Sequence, residues 1–587
     1  GGEIQQTTGG NATGTFGTGG DGIRSGDMLT ISGGEIKQAT GGEATGSTGT
    51  GGHGIYSSFV NILGGIITRA KGGNATDTNS GDGGTGIASD GALTIHSGNI
   101  GTAQGGTSAN GTGGSGIRSG DTFTISDNAA ITNATGGTST NGTGGNGIYS
   151  RRELKIDGGA AITNATGGSG WRGGHGLYGS VMKIISSTIG TAKGGEGKTS
   201  GGNGIYGVGK LTIQKATITN ATGGNATGID GTGGNGIFSD GKLSIEKATI
   251  KEATGGNADN STGGSGIRGD GSSNDFKLSI DSATITNATG GSGKWGGSGI
   301  LGKTMEILTS TIKKATGGRS TGKESYHTGG AGISSYGGLT IQGGTTVQAV
   351  GGNADSGTGG SGIRSGSLSI SGGTISATGG SGKSGGAGID SSGTVSISDG
   401  KIEQAAGGRA TGEDGTGGSG IRSNGTLTIK GGEIQQTAGG DATGKGGTGG
   451  SGIHSGSVVK IWGGTITKAT GGSGKSGGDG IGSYGALTIS GSAKIETAQG
   501  GASADGNGGS GISSGGILTI EGSANIGTAQ GGSGRSGGYG IGSNGTLTIA
   551  GGEIQQTTGG DATGESGTGG IGSNGTLTIA GGEIQQT

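Results

Sequence analysis

Short runs that alternate apolar, polar, apolar recur along the whole chain. The commonest reads Leu-Thr-Ile, as in Leu93-Thr94-Ile95, Leu339-Thr340-Ile341 and Leu547-Thr548-Ile549. Elsewhere the same place holds Val60-Asn61-Ile62, Met182-Lys183-Ile184, Met305-Glu306-Ile307 or Val459-Lys460-Ile461. The outer two positions stay aliphatic, whereas the middle one accepts Lys or Glu. This is the period of a strand with one buried face, its outer pair turned inward and its middle residue turned to water. A Gly-Ile-x-Ser run precedes it, and an x-Ile-x-x-Ala/Thr run follows, as at Ile36 to Ala39, Ile250 to Ala253 and Ile554 to Thr557. Gly pairs such as Gly33-Gly34 come between the second and third runs and predict a corner, where positive φ is needed. No window carries a helical period, and each Gly would cost a helix about 1 kcal/mol.

The clearest marker of the repeat is Gly-Gly-x-Gly-Ile-x-Ser. It recurs about 19 times between Ile23 and Ile571, with a mean period of about 30 residues and individual units of 26 to 33. Length varies almost wholly after the third run: compare GGSGKSGG at Gly379 to Gly386 with GGNATGIDGTGG at Gly223 to Gly234. Insertions confined to one place per repeat map to one flank of a solenoid. The expected fold is therefore all-β, a parallel β-solenoid of about 19 coils over residues 1–587, one continuous array with its Gly-rich tract on one flank. Polyglycine-II packing is the alternative local structure for those tracts. One coil offers about five buried side chains at roughly 1.5–3 kcal/mol each. Ordering some 30 residues costs on the order of 1.5 kcal/mol apiece, so a coil folds only against its neighbours.

Composition narrows the function. Gly makes up 170 of 587 residues, with 26% hydrophobic and 3% aromatic content, against roughly 45–50% apolar residues in globular chains. Any core is thin and shared along the array. Pro is absent, as expected where nearly every coil donates a strand N–H. The absence also weighs against collagen and Pro-rich linkers. Lys plus Arg number 37 and Asp plus Glu 39, which gives no basic stripe for nucleic acid. No apolar run approaches a membrane-spanning length, so membrane insertion is not expected. Cys is absent, excluding disulfides and thiolate metal sites. The first residues are no signal peptide, so a mature or trimmed chain is expected. The segment Gly1 to Thr7 repeats as Gly581 to Thr587, with no polar cap at either end. This predicts either a window on a longer array or self-association, end-to-end or laterally, into a fibre.

Candidate chemistry is sparse. His53, His96, His175, His327 and His454 are scattered over many coils. His53 and His175 share a repeat position but lie four coils apart, roughly 19 Å by strand spacing, too far to share a metal. No carboxylate pair recurs beside a base, so no enzyme is expected. Gly-Gly-x-Gly-x resembles a calcium-binding nonapeptide, but the required Asp is replaced by Ser25, Ser57, Ser119 or Ser365; structural glycine is the better reading, and no cofactor is expected. The residue after Gly-Ile forms a ladder: Arg24, Tyr56, Ala88, Arg118, Tyr149, Tyr178, Tyr206, Phe238, Arg268, Leu301. At strand spacing, Tyr149, Tyr178, Tyr206 and Phe238 can stack, flanked by Arg118 and Arg268 as cation–π partners. The ladder is either a stabilising stack or a strip for glycan or fibre contact. Trp171 and Trp295 stand in short Gly loops on the solvent side, whereas Trp462 follows a strand and is expected to pack. About 13 Asn-x-Thr/Ser sequons occur, among them Asn11, Asn74, Asn133, Asn164, Asn220, Asn225, Asn260 and Asn287, candidate glycosylation sites on a secreted fibre. Ice binding needs a regular Thr array, and the outward Thr of Leu-Thr-Ile is too often Lys, Ser, Glu or Asn.

The string G-I-x-S-x-G-x-L-T-I-x-G-G-x-I, as at Gly420 to Ile434 and Gly540 to Ile554, resembles the Gly-rich right-handed parallel β-helix repeats of bacterial surface proteins. It looks most like the clostridial carbohydrate-binding-domain β-helix family, and it is also similar to repetitive adhesins and autotransporter passengers. The resemblance covers essentially the whole chain and implies secretion and glycan binding. The family's acidic calcium-site residues have no clear counterpart here. The expectation is thus an extracellular or cell-surface structural protein, a rod or subunit of a filament assembled by stacking coils. The competing expectation is an adhesin that binds polysaccharide through the aromatic ladder or the Gly-loop flank.

Overall fold

A computed structural model describes residues 2–76, 79–270 and 277–586. All regular secondary structure among them is β-strand, wound as a β-solenoid of about 19 turns with a period of about 31 residues. The chain falls into two compact units, Gly1–Gly293 and Lys294–Thr587.

Within each unit a coil contributes three short strands, one to each of three parallel rows. In unit 1 one coil runs Ile205–Gly207, Leu211–Gln214, Thr217–Thr222. In unit 2 another runs Ile421–Ser423, Leu427–Ile429, Glu433–Ala438. Equivalent residues sit in register: Ile389, Ile421 and Ile453 in the first row, Ile397, Ile429 and Ile461 in the second, and Ile402, Ile434 and Ile466 in the third. Leu427 and Ile429 are fully buried while Thr428 between them is half-exposed, so the inward and outward faces are those read from the alternation. The core is one side chain thick: a column each of first-row Ile, second-row Leu and Ile, and third-row Ile and Ala.

Two forms of corner between the second and third strands are common. In one a glycine pair turns the chain, and its second member is left-handed, as at Gly432 (φ 81°) and Gly464 (φ 77°). In the other a non-glycine residue takes that conformation, as at Lys215 (φ 50°) and Lys247 (φ 49°), at about 1–2 kcal/mol. The next residue there is a buried Ala, Ala216 or Ala248, whose methyl partly offsets the strain.

The Ser closing the first strand is buried and ties neighbouring coils together. Ser423 Oγ lies 2.7 Å from Gly393 O of the preceding coil and 3.1 Å from Gly425 O of its own turn. Ser365 is the exception. Its link to the second strand, Gly366-Ser367, is one residue shorter than Ser392-Gly393-Thr394. In this shortened link the Gly366 N–H donates to Gly337 O at 2.8 Å, and Ser365 Oγ is left without a partner. Ser423→Ala should therefore cost about 1 kcal/mol or more, the value of a buried hydrogen bond, and speed hydrogen exchange along Leu427–Ile429. Ser365→Ala should leave exchange in its coil unchanged or slower. A similar orphan arises where Thr replaces the third-row Ala. Thr437 is fully buried between Ala405 and Ala469 with no partner for Oγ1. Thr437→Val, keeping the shape and removing the hydroxyl, should stabilise the coil by about 1 kcal/mol, read as a higher denaturant midpoint.

The Gly-rich tract is a packed wall. Each coil leaves its third strand through one glycine pair and enters the next first strand through another. These pairs lie side by side and bond in a zigzag: Gly418 N–H to Gly408 O, Gly440 N–H to Gly418 O, Gly450 N–H to Gly440 O, at 2.7–2.9 Å. The same zigzag runs through unit 1, for example Gly202 to Gly195, Gly224 to Gly202 and Gly234 to Gly224. None of these glycines belongs to a strand. Extended glycine segments bonded to neighbours on two sides are the arrangement expected of polyglycine II. A Cβ on Gly418 would sit 1.9 Å from Gly386 O, and one on Gly439 1.7 Å from Gly450 O. The glycine Cα–H occupies that space, as a weak C–H···O contact.

Candidate functional site

The first strand and the glycine wall meet at a concave corner, and the candidate chemistry lies there. Two residues per coil face it: the x of Gly-Gly-x-Gly-Ile, and the residue after that Ile.

In unit 1 the second position builds the aromatic ladder in register. Arg118 pairs with Tyr149, Tyr149 with Tyr178, Tyr178 with Tyr206, Tyr206 with Phe238 and Phe238 with Arg268. Tyr149 and Tyr178 stack at 4.9 Å, and Tyr206 and Phe238 at 5.1 Å; Tyr178 meets Tyr206 edge-on at 5.5 Å. The Arg118 guanidinium lies 5.7 Å from the Tyr149 ring and that of Arg268 lies 5.2 Å from Phe238. Arg268 also bonds Asp270 at 2.7 Å. The Tyr206 hydroxyl donates to Asp240 at 2.6 Å; burial and then that carboxylate raise its pKa. Ring faces are thus largely turned on one another or capped by Arg. What the ladder presents outward is ring edges and hydroxyls.

The x position forms a second ladder, which the sequence analysis did not single out. Here a side-chain acceptor receives the backbone N–H of the same position one coil on. Asn146 Oδ1 accepts from His175 N–H at 2.7 Å, His175 Nδ1 from Asn203 at 2.9 Å, Asn203 Oδ1 from Asn235 at 2.7 Å, and Asn235 Oδ1 from Ser265 at 2.8 Å. His53 does the same for Thr85 at 2.9 Å. Nδ1 as acceptor places the neutral imidazole's proton on Nε2. The shared position of His53 and His175 is therefore structural. The sequence signal was a fixed position filled mostly by short acceptor-bearing residues.

Burial lowers the His175 pKa to about 4 from its ordinary 6.5 and lowers that of His53 as well. Protonation destroys the Nδ1 acceptor. The unfolded chain takes up the proton near pH 6.5 and the folded chain only near pH 4, so the stabilisation is complete above pH 6.5 and is lost as pH falls between those values. The protection factor of the Asn203 amide, its exchange relative to the slower intrinsic exchange in acid, should fall over that interval. His175→Asn, which replaces Nδ1 by a carboxamide oxygen of the kind Asn146 and Asn203 contribute to the ladder, should remove the pH dependence.

In unit 2 the same corner carries smaller and charged residues: Leu301, Ser334, Arg364, Asp390, Arg422 and His454, one per coil. It is open there as a groove of about 830 Å³. Arg364 and Arg422 are exposed, and Tyr336 and Tyr484 stand on its rim. Burial, and then the Arg422 charge, keep the His454 pKa low. Asp479 closes one end, accepting from Ser510 N–H at 2.8 Å and Ser513 Oγ at 2.5 Å; burial raises its carboxyl pKa despite both bonds.

The remaining candidates are scattered. Trp171 is exposed and Trp295 half-buried; Lys198 lies over the former, and His327 meets the latter edge-on at 4.6 Å. Trp462 does not pack inward: it is 43% exposed, with the ammonium groups of Lys430 and Lys460 at 5.9 and 5.4 Å. Among the sequons, Asn11, Asn225 and Asn260 are exposed, whereas Asn74, Asn133, Asn164, Asn220 and Asn287 are half-buried. Asn164 spends its Nδ2 on Asn133 Oδ1 at 2.9 Å. Asn11, Asn74 and Asn225 each accept a backbone N–H from the following coil. Among the described residues no three His, Cys, Asp or Glu side chains come together as metal ligands. Comparison with protein-family models, curated proteins and solved structures finds no match to this chain.

Proposed function

We propose that this chain is a structural protein of the extracellular surface, a subunit of a filament or fibre. The observation that supports this most is the redundancy of its cohesion. In each unit three strand rows and a glycine zigzag hold coil to coil, and in many coils a serine tie or a side-chain acceptor adds to them. Cohesion of this kind persists without a large core or a disulfide, and it suits a chain that is loaded or exposed to proteases. Immunogold labelling of intact source cells tests the reading. Label on surface fibres is the expected result, and label confined to the cell interior overturns it.

A second reading, a polysaccharide-binding adhesin, draws support from the unit 2 groove. A linear glycan could lie along it and meet one side chain of each coil in turn, with Arg364, Asp390 and Arg422 as polar contacts. On this reading the double variant Arg364→Ala/Arg422→Ala loses retention on immobilised polysaccharides, and Tyr149→Ala does not. Equal retention of all three proteins removes it.

A further inference from the structure

Nine Asn-Gly pairs occur, at Asn110, Asn141, Asn146, Asn203, Asn235, Asn424, Asn507, Asn544 and Asn574. Such a pair can rearrange without a partner. The glycine backbone nitrogen, losing its proton, attacks the Asn Cγ; the C–N bond to the side-chain amide breaks and ammonia leaves. Water then opens the resulting succinimide to aspartate or isoaspartate. The rearrangement therefore requires that glycine N–H to be available.

The structure withholds it at eight pairs. At Asn146, Asn203, Asn235 and Asn507 the following N–H donates to a carbonyl one coil on: Gly147 to His175 O, Gly204 to Asn235 O, Gly236 to Ser265 O and Gly508 to Ser536 O, at 2.9–3.0 Å. Gly425 donates to Gly393 O at 2.8 Å, and Gly545 and Gly575 donate to carbonyls of the preceding coil at 3.2 Å. Gly142 donates to Ser139 Oγ at 2.9 Å. At Asn146, Asn203 and Asn235 the carboxamide oxygen is also held in the acceptor ladder.

The pair Asn110-Gly111 is different. Its neighbours are fixed, Ala109 N–H to Ala75 O at 3.2 Å and Thr112 N–H to Asp82 Oδ1 at 2.6 Å. Asn110 Oδ1 accepts from Asn141 Nδ2 and Gly111 O from Ser139 Oγ, each at 2.7 Å, but Gly111 N–H between them has no acceptor among the described residues, and both residues are partly exposed. We infer that Asn110-Gly111 is the site of spontaneous deamidation in the folded chain, where a neutral loop acquires a carboxylate.

The test is peptide mapping by mass spectrometry of the purified full chain, aged at mildly alkaline pH. Asn110 should convert first, to a mixture of aspartate and isoaspartate that an isoaspartyl methyltransferase labels. A parallel sample aged in denaturant should bring the other eight pairs toward the same rate. Ser139→Ala removes the acceptor for Gly142 N–H and should raise conversion at Asn141 by roughly three- to tenfold, the weight of one hydrogen bond. Conversion of Asn424 or Asn544 as fast as Asn110 in the folded chain overturns the inference. So does an Asn110 that converts in denaturant but stays intact when folded.

Discussion

Gly440→Ala is expected to break the solenoid locally, although the change adds a single methyl group. The new Cβ would fall 2.0 Å from Gly408 O and 2.6 Å from the carbonyl carbon behind it. No rotamer relieves this, because both partners are backbone. The wall must open, and the bonds Gly440 N–H to Gly418 O and Gly450 N–H to Gly440 O are then lost. Overpacking alone costs about 1–3 kcal/mol; two weakened main-chain bonds add about 1 kcal/mol each. Hydrogen exchange should show rapid opening of the coils on both sides of Gly440. Gly344→Ala is the control: a Cβ there has no heavy atom within 4 Å, and its exchange pattern should match the parent. Equal, small effects from the two substitutions would mean that the wall is not close-packed.

Ile429→Asp should act as strongly by a different route. Ile429 is fully buried, between Ile397 and Ile461. A carboxylate there meets only hydrocarbon and must either ionise unpaired or take up a proton, at a cost of several kcal/mol. The neighbouring Thr428→Glu places its charge on the outward face beside Lys460 and should be nearly silent. Circular dichroism against denaturant separates the two variants. The unfolding should be biphasic for Ile429→Asp, because a repeat array loses coils locally.

The strands were legible because alternation is a property of neighbours in sequence. Leu427-Thr428-Ile429 declares its own faces. The ladder of Tyr149, Tyr178, Tyr206 and Phe238 was legible for a related reason: one repeat position per coil fixes register. The orientation of its rings was not, since register says which residues meet but not whether faces or edges do. The glycine wall was legible only as one of two alternatives, for a chemical reason. The same letter serves Gly432, which needs positive φ, and Gly440, which needs an absent Cβ. The role of His175 was hidden because its partner, Asn203, lies 28 residues away and is met through its backbone. Trp462 departs from its expected packing because position after a strand does not fix which face a side chain takes, and two lysines hold it at the surface.

The glycine pairs have one more consequence. Each variable tract is clamped at both ends: the tract from 409 to 416 lies between Gly407-Gly408 and Gly417-Gly418, and the shorter one from 381 to 384 between Gly379-Gly380 and Gly385-Gly386. The clamps bond to each other and to adjacent coils, and just inside them Ala410, which is buried, and Thr416 bridge to Ala442 and Thr448 of the next coil. Only the exposed tip between them, around Glu413 and Asp414, lies outside the frame. This makes each tip a cassette: recombination can diversify it without touching the fold, and an engineer could graft a foreign epitope there, in one coil or in several.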